Sequence, residues 1–297
     1  MRSRFGTPYG LAPWICAVVL AASCTTQASD EPSDAAAVPP SPSPWPEALE
    51  ELDPAEPAQW NVSIVSQLPH DPSSFTQGLE VLTDGRMIES VGLYGQSDVR
   101  IVDVASGTVA ARQPLPAEHF GEGVTVVDDV AIQLTWRAGV AHRWSLPDLE
   151  PLPALRYDGE GWGICRFDDP LATDDDGVPI VVTSDGTATL TWRVAETFEP
   201  IRTAIVVSGG AAVDQINELE CVDGHVVANV WQSDQILVIR DDGFVVAEID
   251  GSPLIETTQA TDDDPDVLNG IALASDTTFW LTGKLWSTLY EVSLSGS

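Results

Sequence analysis

Basic residues are scarce in this chain, which has 13 lysines and arginines against 46 aspartates and glutamates. A formal net charge of −33 repels nucleic acids and anionic lipid surfaces, so the sequence predicts no nucleic-acid partner. The four histidines show no spacing typical of metal ligands, and we expect no metal and no cofactor. The G-x-S-x-G elbow of many serine hydrolases is also missing.

Long apolar runs are absent too, and the one candidate lies at the N-terminus. Arg2 and Arg4 precede a mostly apolar stretch over residues 11–20 that is too short for a stable membrane span. Small residues then lead into Cys24, a pattern that resembles a bacterial lipobox. We expect residues 1–24 to be a signal peptide and Cys24 to be acylated, which places the protein outside the cytoplasmic membrane. Plain secretion is the alternative.

Residues 25–59 contain eight prolines and eight acidic residues and no base. Such a composition cannot bury enough apolar surface to fold, so it predicts a disordered linker. The folded domain is then expected over residues 60–297, as a monomer whose only membrane contact is the N-terminal lipid.

A short signature recurs five times along this domain. It reads FTQGLEV, FGEGVTV, EGWGICR, INELECV and VLNGIAL, and its aligned positions are Gly78, Gly123, Gly163, Glu218 and Gly270. The intervals run from 40 to 55 residues, which is the length of one four-stranded blade. Asp-Gly turns between β-rich runs and the absence of a long helical period favour the same all-β fold. The sequence therefore predicts a five-bladed β-propeller, with residues 60–67 as a candidate closing strand beside the last blade.

Cysteine is nearly absent from this domain, which holds only Cys165 and Cys221. Cys165 lies two residues after its aligned position and Cys221 three after, so in two strands their side chains point to opposite faces. Consecutive blades meet with opposite faces in contact, which could bring the two sulfurs together. An exported chain permits disulfides, so we expect a Cys165–Cys221 bridge. Two separate buried thiols are the alternative.

The chain resembles the plant and bacterial type of glutaminyl-peptide cyclotransferase. The motifs that carry the resemblance are FTQGL, GLYGQS, HFGEG, QLTW, EGWG, SDG, INELE, ANVW, VLNGIA and TGKLW, in that order from residue 75 to residue 286. The resemblance implies a five-bladed propeller that converts an N-terminal glutamine to pyroglutamate with loss of ammonia. It implies Glu122 as acid–base residue, with Lys284 and Asn217 as further catalytic groups. The implied substrate-binding residues are Phe75, Gln77, Phe120, Trp136, Trp162 and Trp231.

This chemistry suits those residue types. The α-amine and the side-chain amide are already tethered, so an enzyme mainly has to hold them in the attacking conformer. A carboxylate such as Glu122 can take a proton from the amine and return it to the leaving nitrogen, while a cation or amide donors stabilise the developing oxyanion. Whether Lys284 holds Glu122 ionised, or burial keeps Glu122 neutral, stays open in the sequence. Competing hypotheses are a non-catalytic cell-envelope propeller that binds peptides or partner proteins, and a calcium-dependent lactonase, which usually has six blades.

Overall fold

The computed structural model describes residues 42–167, 173 and 177–296. The predicted signal peptide, the predicted lipidation site Cys24 and the predicted linker up to residue 41 lie outside the described residues. Within the described part of the chain, no helix is long and apolar enough to cross a membrane.

The regular structure of the described residues is mostly β-strand, which confirms the all-β prediction. It opens with a 3-10 helix, Leu49–Glu51, and the strand β1, Ala58–Pro69. A first four-stranded sheet follows in chain order, made of β2 Thr76–Val81, β3 Met87–Val91, β4 Asp98–Asp103 and β5 Thr108–Pro114. A second has the same simple order, with β6 Gly121–Val127, β7 Val130–Thr135, β8 Val140–Ser145 and β9 Glu150–Arg156.

The third sheet repeats this order from a very short first strand. It consists of β10 Ile164–Cys165, β11 Ile180–Ser184, β12 Thr189–Val194 and β13 Pro200–Ile205. A small hairpin comes next, formed by β14 Val207–Ser208 and β15 Ala211–Ala212.

The rest of the chain forms one eight-stranded sheet. Its strands are β16 Ile216–Val222, β17 His225–Val230, β18 Gln235–Arg240, β19 Val245–Asp250, β20 Leu268–Ser275, β21 Thr278–Gly283 and β22 Thr288–Gly296, together with β1. The spatial order is β16-β17-β18-β19-β1-β22-β21-β20, so β1 joins two groups of consecutive strands. It pairs antiparallel with β22, as the sequence suggested, and parallel with β19, which the sequence did not suggest.

The first strands of the five groups lie at the centre of the molecule. They contact one another in cyclic order, β2 with β6, β6 with β10, β10 with β16, β16 with β20, and β20 with β2. The recurring glycines permit this approach: a Cβ on Gly78 would lie 2.6 Å from the backbone nitrogen of Val124, and one on Gly123 would lie 2.8 Å from the carbonyl oxygen of Trp162. At Gly78, Gly123 and Gly163 the glycine therefore lets one inner strand meet the next backbone to backbone.

The linker prediction is wrong for residues 42–59. Trp45 and Leu49 are buried in a core cluster that includes Trp60 and Phe279. The Trp45 indole nitrogen donates a hydrogen bond of 2.9 Å to Asp223 Oδ2. Burial of a large apolar side chain stabilises a fold by roughly 1.5–3 kcal/mol, so two such side chains help to dock this proline-rich acidic segment. Average composition does not reveal their burial.

Two further features are a disulfide between inner strands and a short helix. Cys165 in β10 and Cys221 in β16 form a disulfide with Cα atoms 5.5 Å apart, as predicted. An eight-residue helix, α1, spans Ser252–Gln259 and was not predicted, although Pro253 in its first turn is a recognised start signal. It is too short to show a clear period, and it is held by Leu254, which is buried in the core.

Candidate active site

A cavity of about 760 Å³ opens at the start of the inner strands. Its lining includes every catalytic and substrate-binding residue expected from the sequence: Phe75, Gln77, Phe120, Glu122, Trp136, Trp162, Asn217, Trp231 and Lys284. Six further residues complete the wall: Arg137, Glu160, Asp185, Gly186, Thr187 and Gln215. Residues from eight of the ten motifs therefore line one cavity.

The polar residues reach this cavity because the inner strands are bulged. The register of β2 against β3 shifts between Thr76 and Gly78, which leaves Gln77 as the extra residue. The register of β6 shifts between Gly121 and Val124, and the register of β16 shifts between Ile216 and Leu219. A bulge re-aims the side chain that it carries. The same device thus turns Gln77, Glu122 and Asn217 toward the cavity.

Glu122 is the buried carboxyl of the site. Burial raises its pKa well above the usual range; the Lys284 cation and a hydrogen bond from Gln77 oppose that rise, and the Glu160 charge adds to it. Burial therefore outweighs the Lys284 cation in setting the direction of the pKa shift of Glu122. A carboxyl with a raised pKa can both accept and return a proton near neutral pH.

Lys284 is the single lysine among the 297 residues. Its side chain is buried, and its Nζ lies 4.9 Å from the centre of the Phe75 ring. Burial lowers its pKa, while the charges of Glu122 and Asp266 oppose this effect. The chain thus places its one primary side-chain amine beside the buried carboxyl of the cavity.

Asn217 is a lining residue of the cavity whose amide is largely buried. Its Nδ2 donates 2.8 Å to Asn269 Oδ1, and Asn269 Nδ2 in turn donates 2.9 Å to the carbonyl oxygen of Thr76. These bonds fix the orientation of the Asn217 amide and leave its Oδ1 buried with no hydrogen-bond partner among the described residues. A buried acceptor without a partner is costly, so Oδ1 is suited to a donor that a ligand brings.

Aromatic rings form the rest of the wall. Phe120 makes edge-to-face contacts with Phe75 and with Trp136, at centroid distances of 6.1 and 5.8 Å. Trp162 and Trp231 form a second edge-to-face pair at 5.7 Å. These rings stand in the same wall as Glu122 and Lys284, whose side chains are largely buried.

Glu160 holds two of these rings, a role that the sequence did not reveal. Its Oε2 accepts hydrogen bonds from the indole nitrogens of Trp136, at 2.7 Å, and Trp162, at 3.1 Å. Its Oε1 accepts from Arg137, whose guanidinium stacks 3.7 Å above the Trp136 ring. Burial alone raises the pKa of Glu160, but the hydrogen bonds from Arg137 and the two indoles outweigh burial and lower it. In the sequence, Glu160 stands out only as part of the EGWG motif. That motif does not reveal a hydrogen bond to Trp136, which lies 24 residues earlier.

Within the described residues, no group of three or more histidine, cysteine, aspartate or glutamate side chains is arranged to hold a metal ion. The lining of the cavity offers a carboxyl, an amine, amides and aromatic rings. These groups can transfer protons and stabilise a negatively charged oxygen, and the aromatic rings can pack against apolar parts of a substrate.

Comparisons with known proteins agree with this arrangement. The family model described as glutamine cyclotransferase matches residues 36–294. The chain is 37% identical over 237 residues to the glutaminyl-peptide cyclotransferase of Arabidopsis thaliana, covering 78% of this chain and 71% of the plant protein. The crystal structure of the Myxococcus xanthus glutaminyl cyclase superposes with a TM-score of 0.73 and 33% identity, covering 82% of this chain and all of that one.

Proposed function

The chain belongs to the glutamine cyclotransferase family, and we propose that it converts the N-terminal glutamine of peptides or proteins to pyroglutamate with release of ammonia. One observation carries the assignment of roles. The desolvated carboxyl of Glu122, the buried amine of Lys284 and the unpartnered Oδ1 of Asn217 line the same cavity.

The substrate supplies both reacting groups. Its α-amine nitrogen forms a bond to the carbon of the side-chain amide, and the bond from that carbon to the amide nitrogen breaks. The aromatic walls of the cavity hold the glutamine side chain folded back on its own amine. Restricting an already tethered pair to the attacking geometry is a large part of such a rate enhancement.

Glu122 moves the proton. In its ionised form it takes a proton from the attacking α-amine, whose ordinary pKa is about 7.7–8.0. It then gives that proton to the departing nitrogen, which leaves as ammonia. A raised pKa brings the carboxyl closer to the pKa of the amine and makes both transfers easier.

Lys284 and Asn217 have complementary tasks. The amine of Lys284 and the amide of Gln77 stabilise the negative charge that develops on the attacked carbonyl oxygen. Asn217 Oδ1 accepts a hydrogen bond from the α-amine and so orients its lone pair. The demand for a free α-amine explains why this site acts on N-terminal glutamine and not on glutamine within a chain.

The direct test is to incubate the purified protein with a glutamine-initiated dipeptide and to measure ammonia and pyroglutamyl product. An asparagine-initiated dipeptide is the matched control, because its shorter side chain would have to close a strained four-membered ring. Binding of the glutamine peptide without release of ammonia would contradict the proposed enzyme activity and favour a non-catalytic peptide-binding protein.

We infer that the five groups of strands are the blades of a five-bladed propeller. The support is the cyclic contact of the inner strands β2, β6, β10, β16 and β20, and the insertion of β1 between β19 and β22. β1 then closes the ring by supplying the outer strand of the last blade. An experimental structure with six inner strands would contradict this count.

We also propose export of a monomer to the outer side of the cytoplasmic membrane, through acylation of Cys24 or by plain secretion. The support is the basic start, the short apolar stretch and the small residues before Cys24. Fractionation of cells that express Cys24→Ala tests the lipid anchor, since loss of acylation should move the protein from the membrane to the soluble fraction.

A further inference from the structure

A second buried polar cluster lies outside the cavity, where β1 leads into β2. The side chains of His70 and Glu89 are only 7% and 3% exposed, and His70 Nε2 lies 3.1 Å from Glu89 Oε1. Neither residue lines the cavity, and the chemistry derived above does not use them. Two buried titratable groups that touch no substrate need another explanation.

The hydrogen bonds and the neighbouring charges favour a charged pair. His70 Nδ1 lies 2.8 Å from the carbonyl oxygen of Trp286, which can only accept. Glu89 Oε1 accepts 2.9 Å from the Thr76 hydroxyl. Burial alone raises the pKa of Glu89, but His70, Arg100 and Thr76 outweigh burial and lower it, which favours a carboxylate that accepts from His70. An imidazole that donates from both nitrogens is an imidazolium. Burial alone lowers the pKa of His70, but the Glu89 carboxylate and the bond to Trp286 outweigh burial and raise it.

The pair joins the segment that carries Gln77 to the segment that carries Lys284. Glu89 holds Thr76, the neighbour of Gln77, while His70 holds Trp286, two residues after Lys284. Backbone bonds join the same segments: His70 N donates 2.9 Å to the Ser287 carbonyl oxygen, and Leu285 N donates 2.7 Å to that of Ser74.

The two segments are also held from their outer sides. Arg100 Nη1 donates 3.0 Å to the Ser74 hydroxyl and 2.9 Å to Asp71 Oδ2. Asp262 Oδ2 accepts 2.7 Å from the backbone nitrogen of Ser287. The bridge between His70 and Glu89 adds a charged side-chain link that runs from one segment to the other.

We propose that His70 and Glu89 are positioning residues that hold the Gln77 strand and the Lys284 turn in register across the cavity. The proposal rests on the proposed function for its kinetic consequence, since Gln77 and Lys284 act on the same oxyanion there. It concerns placement alone, because neither side chain reaches the substrate.

The variant His70→Gln keeps a polar side chain but removes the charge and one of the two donated hydrogen bonds. Gln77 and Lys284 then lose their fixed separation, and small misplacements of reacting groups are costly. We expect kcat to fall about tenfold while KM changes by less than about threefold, because the aromatic walls that bind the glutamine stay in place.

Glu89→Gln should give the same split, and the double variant should cost no more than either single one, because each change breaks the same bridge. Glu291→Gln is the matched control. Glu291 also accepts two hydroxyl hydrogen bonds, from Ser66 at 2.8 Å and Thr278 at 3.0 Å, but it lies on the outer strands. The Glu291→Gln variant should have a lower melting temperature than the wild type but the same kcat.

A second measurement does not depend on activity. Hydrogen–deuterium exchange should become faster in His70→Gln at residues 70–77 and at 284–287 together, and should stay unchanged at 284–287 in Glu291→Gln. An unchanged kcat in folded His70→Gln, or faster exchange in only one of the two segments, would overturn the proposal. Wild-type protein that releases no ammonia would instead refute the proposed function, while the exchange result still decides the positioning role.

Discussion

Two buried glutamates on the inner strands, Glu122 in β6 and Glu218 in β16, are alike in most respects. Both sit in a β-bulge, and burial raises the pKa of each well above its usual range. They differ in what faces their oxygens. Glu218 accepts hydrogen bonds from the backbone nitrogens of Leu79, at 3.3 Å, and Ile271, at 2.9 Å, whereas Glu122 faces the cavity and Lys284.

The contrast shows that burial and a raised pKa do not identify an acid–base residue by themselves. Glu218 ties β16 to β2 and β20, so its oxygens have no room for a substrate. Glu122 has space in front of its carboxyl and a cation beside it. Free space at the oxygens, rather than the titration behaviour, separates the proposed catalytic group from the structural one.

The variant Glu122→Gln tests most directly whether Glu122, unlike Glu218, carries the proton. The amide keeps the shape and its contact with Gln77 but cannot take and return a proton, so turnover should fall by about 10²-fold or more. Steady-state ammonia release measures the loss, and circular dichroism checks that the fold is intact. Near wild-type turnover in this variant would show that Glu122 is not the proton carrier.

Lys284→Met removes the cation that faces Glu122 and keeps the apolar stem against Phe75. We expect kcat to fall about 10- to 10²-fold through lost stabilisation of the oxyanion. Arg86→Met is the control, because Arg86 is a cation paired with Asp84 outside the cavity. A loss confined to KM in Lys284→Met would instead assign the lysine to substrate binding.

Glu218→Gln tests the other side of the comparison. One acceptor oxygen becomes an NH₂ group, so the backbone nitrogen of Leu79 or Ile271 loses its partner in the core. The free energy of unfolding should fall by about 1–3 kcal/mol, as measured by urea denaturation. The folded fraction should keep its kcat within a few-fold, and a loss as large as that of Glu122→Gln would give Glu218 a catalytic role.

The last expected effect is the pH dependence of stability that Glu122 causes. Its folded pKa lies above the unfolded value of 4.5, so folding favours the protonated form. Its contribution is fully present below pH 4.5 and is lost as pH rises through the folded pKa, at about 1.4 kcal/mol for each pH unit that separates the two pKa values. Urea denaturation of wild type and Glu122→Gln between pH 4 and 8 measures this. The wild type should lose stability relative to the variant as pH rises, and parallel curves would contradict the raised pKa.

The sequence was most informative where chemistry and repetition coincide. The polar residues of the five signatures could be matched by position, and the structure brings Gln77, Glu122 and Asn217 to one cavity. The bulges that aim them could not be predicted, because a bulge exists only once two strands have a register. The bond from Glu160 to Trp136 and the bridge from His70 to Glu89 depend on tertiary contacts in the same way.

The segment over residues 42–59 was mispredicted for a different reason. Average composition describes whether a segment can fold alone, and this one cannot. Trp45 packs in a core cluster with Phe279, and its hydrogen-bond partner Asp223 is 178 residues away in the sequence. A local window has no access to such partners.

The solitary lysine has a chemical consequence beyond catalysis. Reagents that acylate or alkylate primary amines find one ε-amine in the whole chain, and it lies inside the cavity. Reductive methylation with a ¹³C label would therefore give a single side-chain resonance that reports on occupancy of the cavity. Amine-directed cross-linkers and biotin esters would leave the outer surface untouched, apart from the α-amine of the chain.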